Sequence, residues 1–270
     1  MIMNIYSVIG LFALLGVVAA GIVTTITPKE YHMFADLPAI FLVVGGTLGA
    51  ASITVQINRI GVLFKVFFIR LIFGKRIDYA KVIKEIMITS ESNRRGEAMA
   101  EIIKNAKDHF LIECLQLLDD NVIKGEDLFD LLDDRVRNMH GHYSDEANRF
   151  KNLAKFPPAF GLMGTVLGMI ALLSNLGGAD AMKLIGPSMG TCLVATFMGI
   201  FVANVVVLPI GESLGESSKE IYLKNKIIVE GMRLIAVKTN PIIVAEKLNS
   251  FLLPSDRVDW KVLVAAEGKA

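Results

Sequence analysis

Four runs of the chain carry no Asp, Glu, Lys or Arg: residues 1–28, 37–58, 156–179 and 184–211. Each exceeds the ~20 apolar residues that a helix needs to cross a bilayer. They predict membrane-spanning helices over residues 5–23, 37–57, 158–176 and 185–210. Between the second and third runs the pattern changes. Residues 58–157 hold 17 Lys+Arg and 16 Asp+Glu, and their apolar positions fall at helical spacing. Leu111, Leu115, Leu118, Val122 and Ile123 form one stripe; Leu128, Leu131 and Leu132 resume it after Gly125. Asp119, Asp120, Glu126, Asp127, Asp130, Asp133 and Asp134 lie between them. This predicts a pair of amphipathic helices with a solvated acidic face, since the spacing of a calcium loop is missing. Residues 212–253 read as helix interrupted at Asn240-Pro241, with a loose end from Pro254. The expected fold is all-α: a polytopic membrane protein with four transmembrane helices and a helical cytoplasmic domain. Its divisions are 1–57 (helices 1 and 2), 58–157 (interfacial helix and cytoplasmic domain), 158–211 (helices 3 and 4) and 212–270 (cytoplasmic tail).

Charge sets the orientation. Arg59, Lys65, Arg70, Lys75 and Arg76 follow the second run, and Lys219, Lys224 and Lys226 follow the fourth. The short connections 24–36 and 177–184 hold one basic residue each, Lys29 and Lys183. The positive-inside rule places the large segment and both termini in the cytoplasm. Residues 59–76 are basic and aromatic-rich but broken by Lys65 and Arg70, which predicts a helix lying in the interface plane. The first four residues, MIMN, lack the positive start of a cleavable signal, so residues 5–23 are expected to be a retained helix. Composition agrees: 53% hydrophobic, 20% charged and a mean hydropathy of +0.52 rule out a simple soluble enzyme. A net charge of +1 rules out a strongly basic nucleic-acid binder. Cys114 and Cys192 fall in a soluble segment and a span respectively, and form no disulfide framework.

The missing chemistry narrows function further. The sequence has no phosphate-binding G-x-x-x-x-G-K-[ST] loop and no nucleophile–base arrangement in a plausible pocket. His32, His109, His140 and His142 do not make a metal cluster, so no metal and no cofactor is expected. The spans also lack any carboxylate, whereas ion carriers place Asp, Glu or His within the membrane. Either the chain moves no ion or a partner helix supplies the carboxylate. The spans are instead rich in small and hydroxylated residues. G-x-x-x-G pairs occur at 45/49, 164/168 and 186/190; small residues let helices approach closely in lipid, within one chain or between copies. Thr165, Ser188, Thr191, Thr196 and Asn204 lie inside the third and fourth spans. Such side chains either bond their own i−4 carbonyl or line a wet interface that ligates an ion. Pro157-Pro158 opens the third span, where a missing N–H is harmless. Pro209, near the end of the fourth, removes a helix bond and can seed a kink.

The stretches PPAFGLMGTVLGMI (157–170), VATFMGIFVANVVVLPI (194–210) and VKTNPIIVAEKLNSFLLP (237–254) resemble the flagellar motor stator subunit family MotA/PomA. So does the order of two spans, about a hundred cytoplasmic residues, two spans and a tail. The PAFG-x-x-GTVLG stretch is also similar to the ExbB/TolQ relatives, which energise an envelope partner instead of a rotor. The stator resemblance implies five copies around two copies of a single-span MotB/PomB-type partner, whose membrane aspartate supplies the carboxylate missing here. It implies a bacterial inner (cytoplasmic) membrane location, ion flow that turns the ring, and a cytoplasmic domain that pushes the rotor protein FliG. By the same resemblance Thr165 matches the hydroxyl near the ion path, and Pro158 and Pro209 match the two functional prolines. Glu101, five residues after Gly96, matches the rotor-facing glutamate. The rotor-facing arginine would fall at Asn93; Arg94 and Arg95 stand beside it. Sodium-type members carry adjacent threonines in the fourth span, where this chain has Ala195-Thr196. Losing one hydroxyl favours a proton as the coupling ion, with sodium as the alternative.

Overall fold

The computed structural model of the chain describes residues 5–27, 31, 34–54, 61, 77–176 and 181–259. The interfacial helix expected over 59–76 lies outside the described residues except at Gly61, as does His32. Every regular element among the described residues is helical. In chain order they are α1 (Ile5–Thr25), α2 (Leu37–Ile40), a π turn (Phe41–Gly45) and α3 (Gly46–Thr54). Then come α4 (Tyr79–Arg95), α5 (Met99–Asn105), α6 (His109–Asp120), α7 (Glu126–Leu153), α8 (Phe156–Asn175) and α9 (Ala181–Phe201). A second π turn (Val202–Val207), α10 (Leu208–Ala236), α11 (Pro241–Asn249) and a short 3-10 turn (Pro254–Asp256), where the sequence predicts a loose end, complete the series. The chain separates into two compact units, residues 1–75 with 144–216 and residues 76–143 with 217–270.

The first unit holds the apolar helices. Leu37–Thr54, a window within Glu126–Ser174 and a window within Ile185–Ala236 are each long and apolar enough to cross a membrane. Helix α1 adds 21 residues without a charge. Phe12, Phe41, Leu48, Leu162, Val166 and Leu173 are exposed on this unit. A water-soluble domain would bury such a surface, whereas hydrocarbon solvates it. Close packing is concentrated between α8 and α9. A Cβ on Gly161 would meet Ala195 O at 2.7 Å, and one on Gly164 would meet Ala195 Cβ at 2.8 Å. Gly168 abuts the Cys192 sulfur, and Gly199 sits against the Pro157 carbonyl. The positions 161, 164 and 168 on one helix therefore mesh with 199, 195 and 192 on the antiparallel neighbour. Gly46 receives the Phe160 ring in the same way. Of the three predicted small-residue pairs, 164/168 is in close contact on both glycines; Gly45, Gly49 and Gly186 face open space among the described residues.

The second unit is an amphipathic assembly with a conventional core. Ile83 and Ile86 of α4, Leu111 and Leu115 of α6, Leu128 and Leu132 of α7, and Ile228, Met232 and Ile235 of α10 are fully buried together. The sequence stripe supplies the α6 and α7 positions of this core, with Leu118 and Ile123 partly buried against it; the α4 and α10 positions lie outside that stripe. Val122 is 84% exposed, because α6 stops at Asp120 and Asn121 turns left-handed at φ 54°. The helix starts are capped. Asp78 accepts from the Lys81 N–H, and Asp108 accepts from the Phe110 and Leu111 N–H groups. Gly96, at φ 81°, ends α4 in a conformation that favours glycine. Gly231 lets α10 approach α4 closely, since a Cβ there would lie 2.7 Å from Ile86. Partly buried ion pairs tie its helices together: Lys224 reaches Asp108 at 2.7 Å, and Asp133 holds both Lys226 and Arg233 at 3.0 Å.

Candidate ion-path site

The mesh of glycines brings two threonines together across the α8–α9 contact. Thr165 Oγ1 pairs with Thr196 Oγ1 and lies 2.9 Å from Cys192 O and 3.2 Å from Gly161 O. Thr196 Oγ1 is 3.4 Å from Cys192 O. Each hydroxyl faces its own i−4 carbonyl, and the two also meet across the α8–α9 contact. A hydroxyl has one proton. Both threonines can reach the Cys192 carbonyl, so either can be the donor of the bond between them. Whichever donates to that carbonyl, the two protons leave one hydroxyl of the pair with its acceptor lone pairs unclaimed. Ala195, beside Thr196, is buried and spends its Cβ filling the space over Gly164. It adds bulk where a second threonine would add an oxygen.

The prolines occupy different settings. Pro157 and Pro158 form the first turn of α8, where Pro157 is buried and its carbonyl rests on Gly199. Pro209 does not end a helix, because α9, the π turn and α10 run on through it to Ala236. The chain accommodates Pro209 by widening the turn before it: the Leu208 N–H donates to Ala203 O, five residues back.

The residues assigned to rotor contact flank the Gly96 turn in the second unit. Arg94 and Arg95 are exposed at the end of α4. Both donate to Glu91, at 3.1 Å and 3.0 Å, and hydrogen bonding from Arg94 holds the Glu91 carboxyl below its ordinary value. Glu101 is exposed in the first turn of α5. The same hairpin lines a cavity of about 460 Å³ that carries Lys81, Lys84 and Lys107. Asn93 is engaged elsewhere. Its Nδ2 donates to Ile235 O at 2.8 Å, while Ser90 Oγ donates to Thr239 O at 3.0 Å. These two bonds satisfy the last carbonyls of α10 and the turn before α11. Sequence patterning does not reveal them, because nothing local marks which polar residue of α4 faces a helix 140 positions away. Nor does it single out the Gly161–Gly199 end of the mesh, although the matched spacings 161/164/168 and 192/195/199 are visible once both helices are set antiparallel. His140 Nδ1 lies 2.9 Å from Ser218 Oγ and its ring rests on Tyr222.

These features define an all-helical membrane protein with a hydroxyl pair between two carboxylate-free helices, and with a second, charged helical unit. The MotA/TolQ/ExbB proton channel family matches residues 102–226. The chain is 32% identical to Motility protein A of Borreliella burgdorferi over 276 aligned positions, covering 98% of this chain and all of that protein. The chain belongs to the Motility protein A (MotA) family. Its fold is that of the C. jejuni MotAB structure (TM-score 0.80, 21% identity, 95% of this chain and 99% of that one). It is similar as well to the flagellar MotAB stator complex from Bacillus subtilis (TM-score 0.79, 25% identity, 94% and 97%).

Proposed function

We propose that this chain is the ion-conducting stator subunit of a flagellar motor. It assembles as an oligomer, five copies around two of a MotB-type partner, in the bacterial inner membrane with both termini and the large loop in the cytoplasm. The observation that carries the reading is the Thr165–Thr196 pair. Two hydroxyls meet at the interface of two carboxylate-free spans, and they present an acceptor with no proton donor assigned to it. A partner helix bearing an aspartate completes that site, because a passing ion needs a carboxylate to neutralise. Proton transfer requires only the carboxylate, water and an acceptor, whereas sodium needs several oxygen ligands. Ala195 contributes none, so the coupling ion is the proton. Protonation changes which docking of partner against ring is preferred, and the ring steps. The stepping helices carry the α4–α5 hairpin, and Arg94, Arg95 and Glu101 engage the rotor protein FliG through charge complementarity. Pro158 and Pro209 sit where the third and fourth spans meet the cytoplasm and couple the two motions.

The test is proton flux in proteoliposomes. Vesicles holding this chain with its partner should acidify under an imposed potential. Those holding this chain alone, or a partner whose membrane aspartate is replaced by asparagine, should not. Flux from this chain alone would overturn the reading that the carboxylate comes from the partner.

A further inference from the structure

Asn204 is an exposed carboxamide inside a membrane-spanning helix. It lies eight residues beyond Thr196, about 12 Å further toward the cytoplasmic end at helical rise, and within the π turn Val202–Val207. Leu193 and Ile200 precede it on the exposed surface of the same helix. Its Nδ2 donates to Ile200 O at 2.9 Å, which leaves Oδ1 without a donor among the described residues. Its main-chain carbonyl is orphaned too. The Leu208 N–H that would serve it goes instead to Ala203 O, and the next residue, Pro209, has no N–H to give. Two hydrogen-bond acceptors therefore stand unserved at one exposed position. In hydrocarbon each unserved acceptor is strongly unfavourable, and irregular backbone at membrane depth persists only against protein or a water-filled passage. A packed side chain could serve one of these oxygens; water or a hydrated cation serves both.

We infer that Asn204 is the cytoplasm-side station of the ion path, facing a water-filled passage and lending Oδ1 and its own carbonyl to the departing hydrated ion. The inference rests on the stator reading above. It gives the π turn and Pro209 a chemical role besides a mechanical one: together they strip a backbone carbonyl of its donor and expose it beside a carboxamide. The helix then offers oxygen acceptors at two depths, Thr196 and Asn204.

The test is thiol accessibility in the full complex with its partner, in inverted membrane vesicles, with a cationic methanethiosulfonate as the probe. Only a thiolate reacts, and burial that raises a thiol pKa by about two units cuts the thiolate about 100-fold. The native background is low because Cys114 and Cys192 are both buried. Asn204→Cys should be labelled about 100-fold faster than Phe12→Cys or Leu48→Cys, which replace exposed apolar residues of the first two spans. Labelling at the rate of those references would overturn the inference, whether lipid or a dry helix contact covers the position. Asn204→Leu should lower proton flux about tenfold, while Asn204→Ser, which keeps an acceptor, should restore most of it. Full flux from Asn204→Leu would also overturn it. A wild-type complex that conducts no ion would instead remove the stator reading itself.

Discussion

One methyl group at Gly161 tests whether the hydroxyl pair is held by the glycine mesh. In Gly161→Ala the new Cβ lies 2.7 Å from Ala195 O, 3.2 Å from Thr196 Cα and 3.3 Å from Gly199 Cα. All three are backbone atoms, so no rotamer change relieves them. A relaxed carbon–oxygen contact needs about 3.3–3.6 Å, and α8 must draw away from α9 by roughly 0.6–0.9 Å to reach it. The Thr165 bond to Cys192 O, 2.9 Å in the native packing, then stretches out of hydrogen-bonding range. Overpacking of this kind costs about 1–3 kcal/mol and the lost bond about 1 more. The better helix propensity of alanine offsets about 1 kcal/mol. A net loss of about 1–3 kcal/mol is expected. Thermal unfolding of the detergent-solubilised complex, followed with a thiol-reactive dye, reads this directly, because Cys114 and Cys192 are both buried until packing fails. Gly141→Ala is the control: it also sits within a helix, but its added Cβ meets nothing within 4 Å, so it should hold or raise the transition. If Gly161→Ala and Gly141→Ala melt alike, the glycine mesh does not position the threonines.

The second unit and Pro209 carry further consequences. Asn93→Ala removes one of two bonds to Ile235 O, which keeps the Lys238 N–H, and should destabilise the protein by about 0.5–1.5 kcal/mol, whereas Arg94→Ala and Arg95→Ala should each cost under about 0.5 kcal/mol yet reduce torque. Denaturant unfolding and tethered-cell rotation separate the two effects; equal stability losses would contradict the division of labour. Asp78, held low chiefly by its hydrogen bond from Lys81, and Glu91, held low by Arg94, both have depressed folded-state values. Their contribution is therefore present at neutral pH and lost as pH falls below about 4. Amide protection factors over α4, taken relative to the intrinsic rate at each pH, should fall there and not at pH 6. Burial pushes the Cys114 thiol up to about 12, so it should resist alkylation at pH 8 until the protein unfolds. Pro209→Ala restores the missing N–H and should let the π turn relax toward α-helix; assembly should persist while torque falls, and normal swimming would refute the coupling role.

Legibility in the sequence tracked the range of the interaction. Runs without charge announced the spans because the bilayer imposes a length and a polarity on each residue separately. The stripe Leu111, Leu115, Leu128 and Leu132 announced the outer core because a helix buries one face by periodicity alone. Val122 broke from that stripe where Asn121 adopts a left-handed turn, a local choice that hydrophobic spacing does not register. The G-x-x-x-G pairs marked surfaces suited to close approach without saying whose. Gly164 and Gly168 serve the chain's own α9, while Gly45 and Gly49 meet nothing among the described residues. The Thr165–Thr196 contact required knowing that α8 and α9 are antiparallel neighbours in that register. The π turn before Pro209 was hidden for the opposite reason: Pro209 was visible, but whether a proline ends, kinks or widens a helix depends on the packing of the residues on its C-terminal side. Asn93 bonds to Ile235 O, a long-range partner that no local pattern around it signals.

Ion flow through this subunit and its partner drives rotation in the proposed function, with the proton as the ion. The most direct measurement is swimming speed of cells whose only stator is this pair, in buffers with and without sodium, with and without a protonophore. Speed should be indifferent to sodium and abolished by the protonophore. Speed that tracks sodium would contradict the proton assignment and make Thr165 and Thr196 sodium ligands; immotile cells with a correctly inserted, rotor-bound complex would contradict the stator function itself.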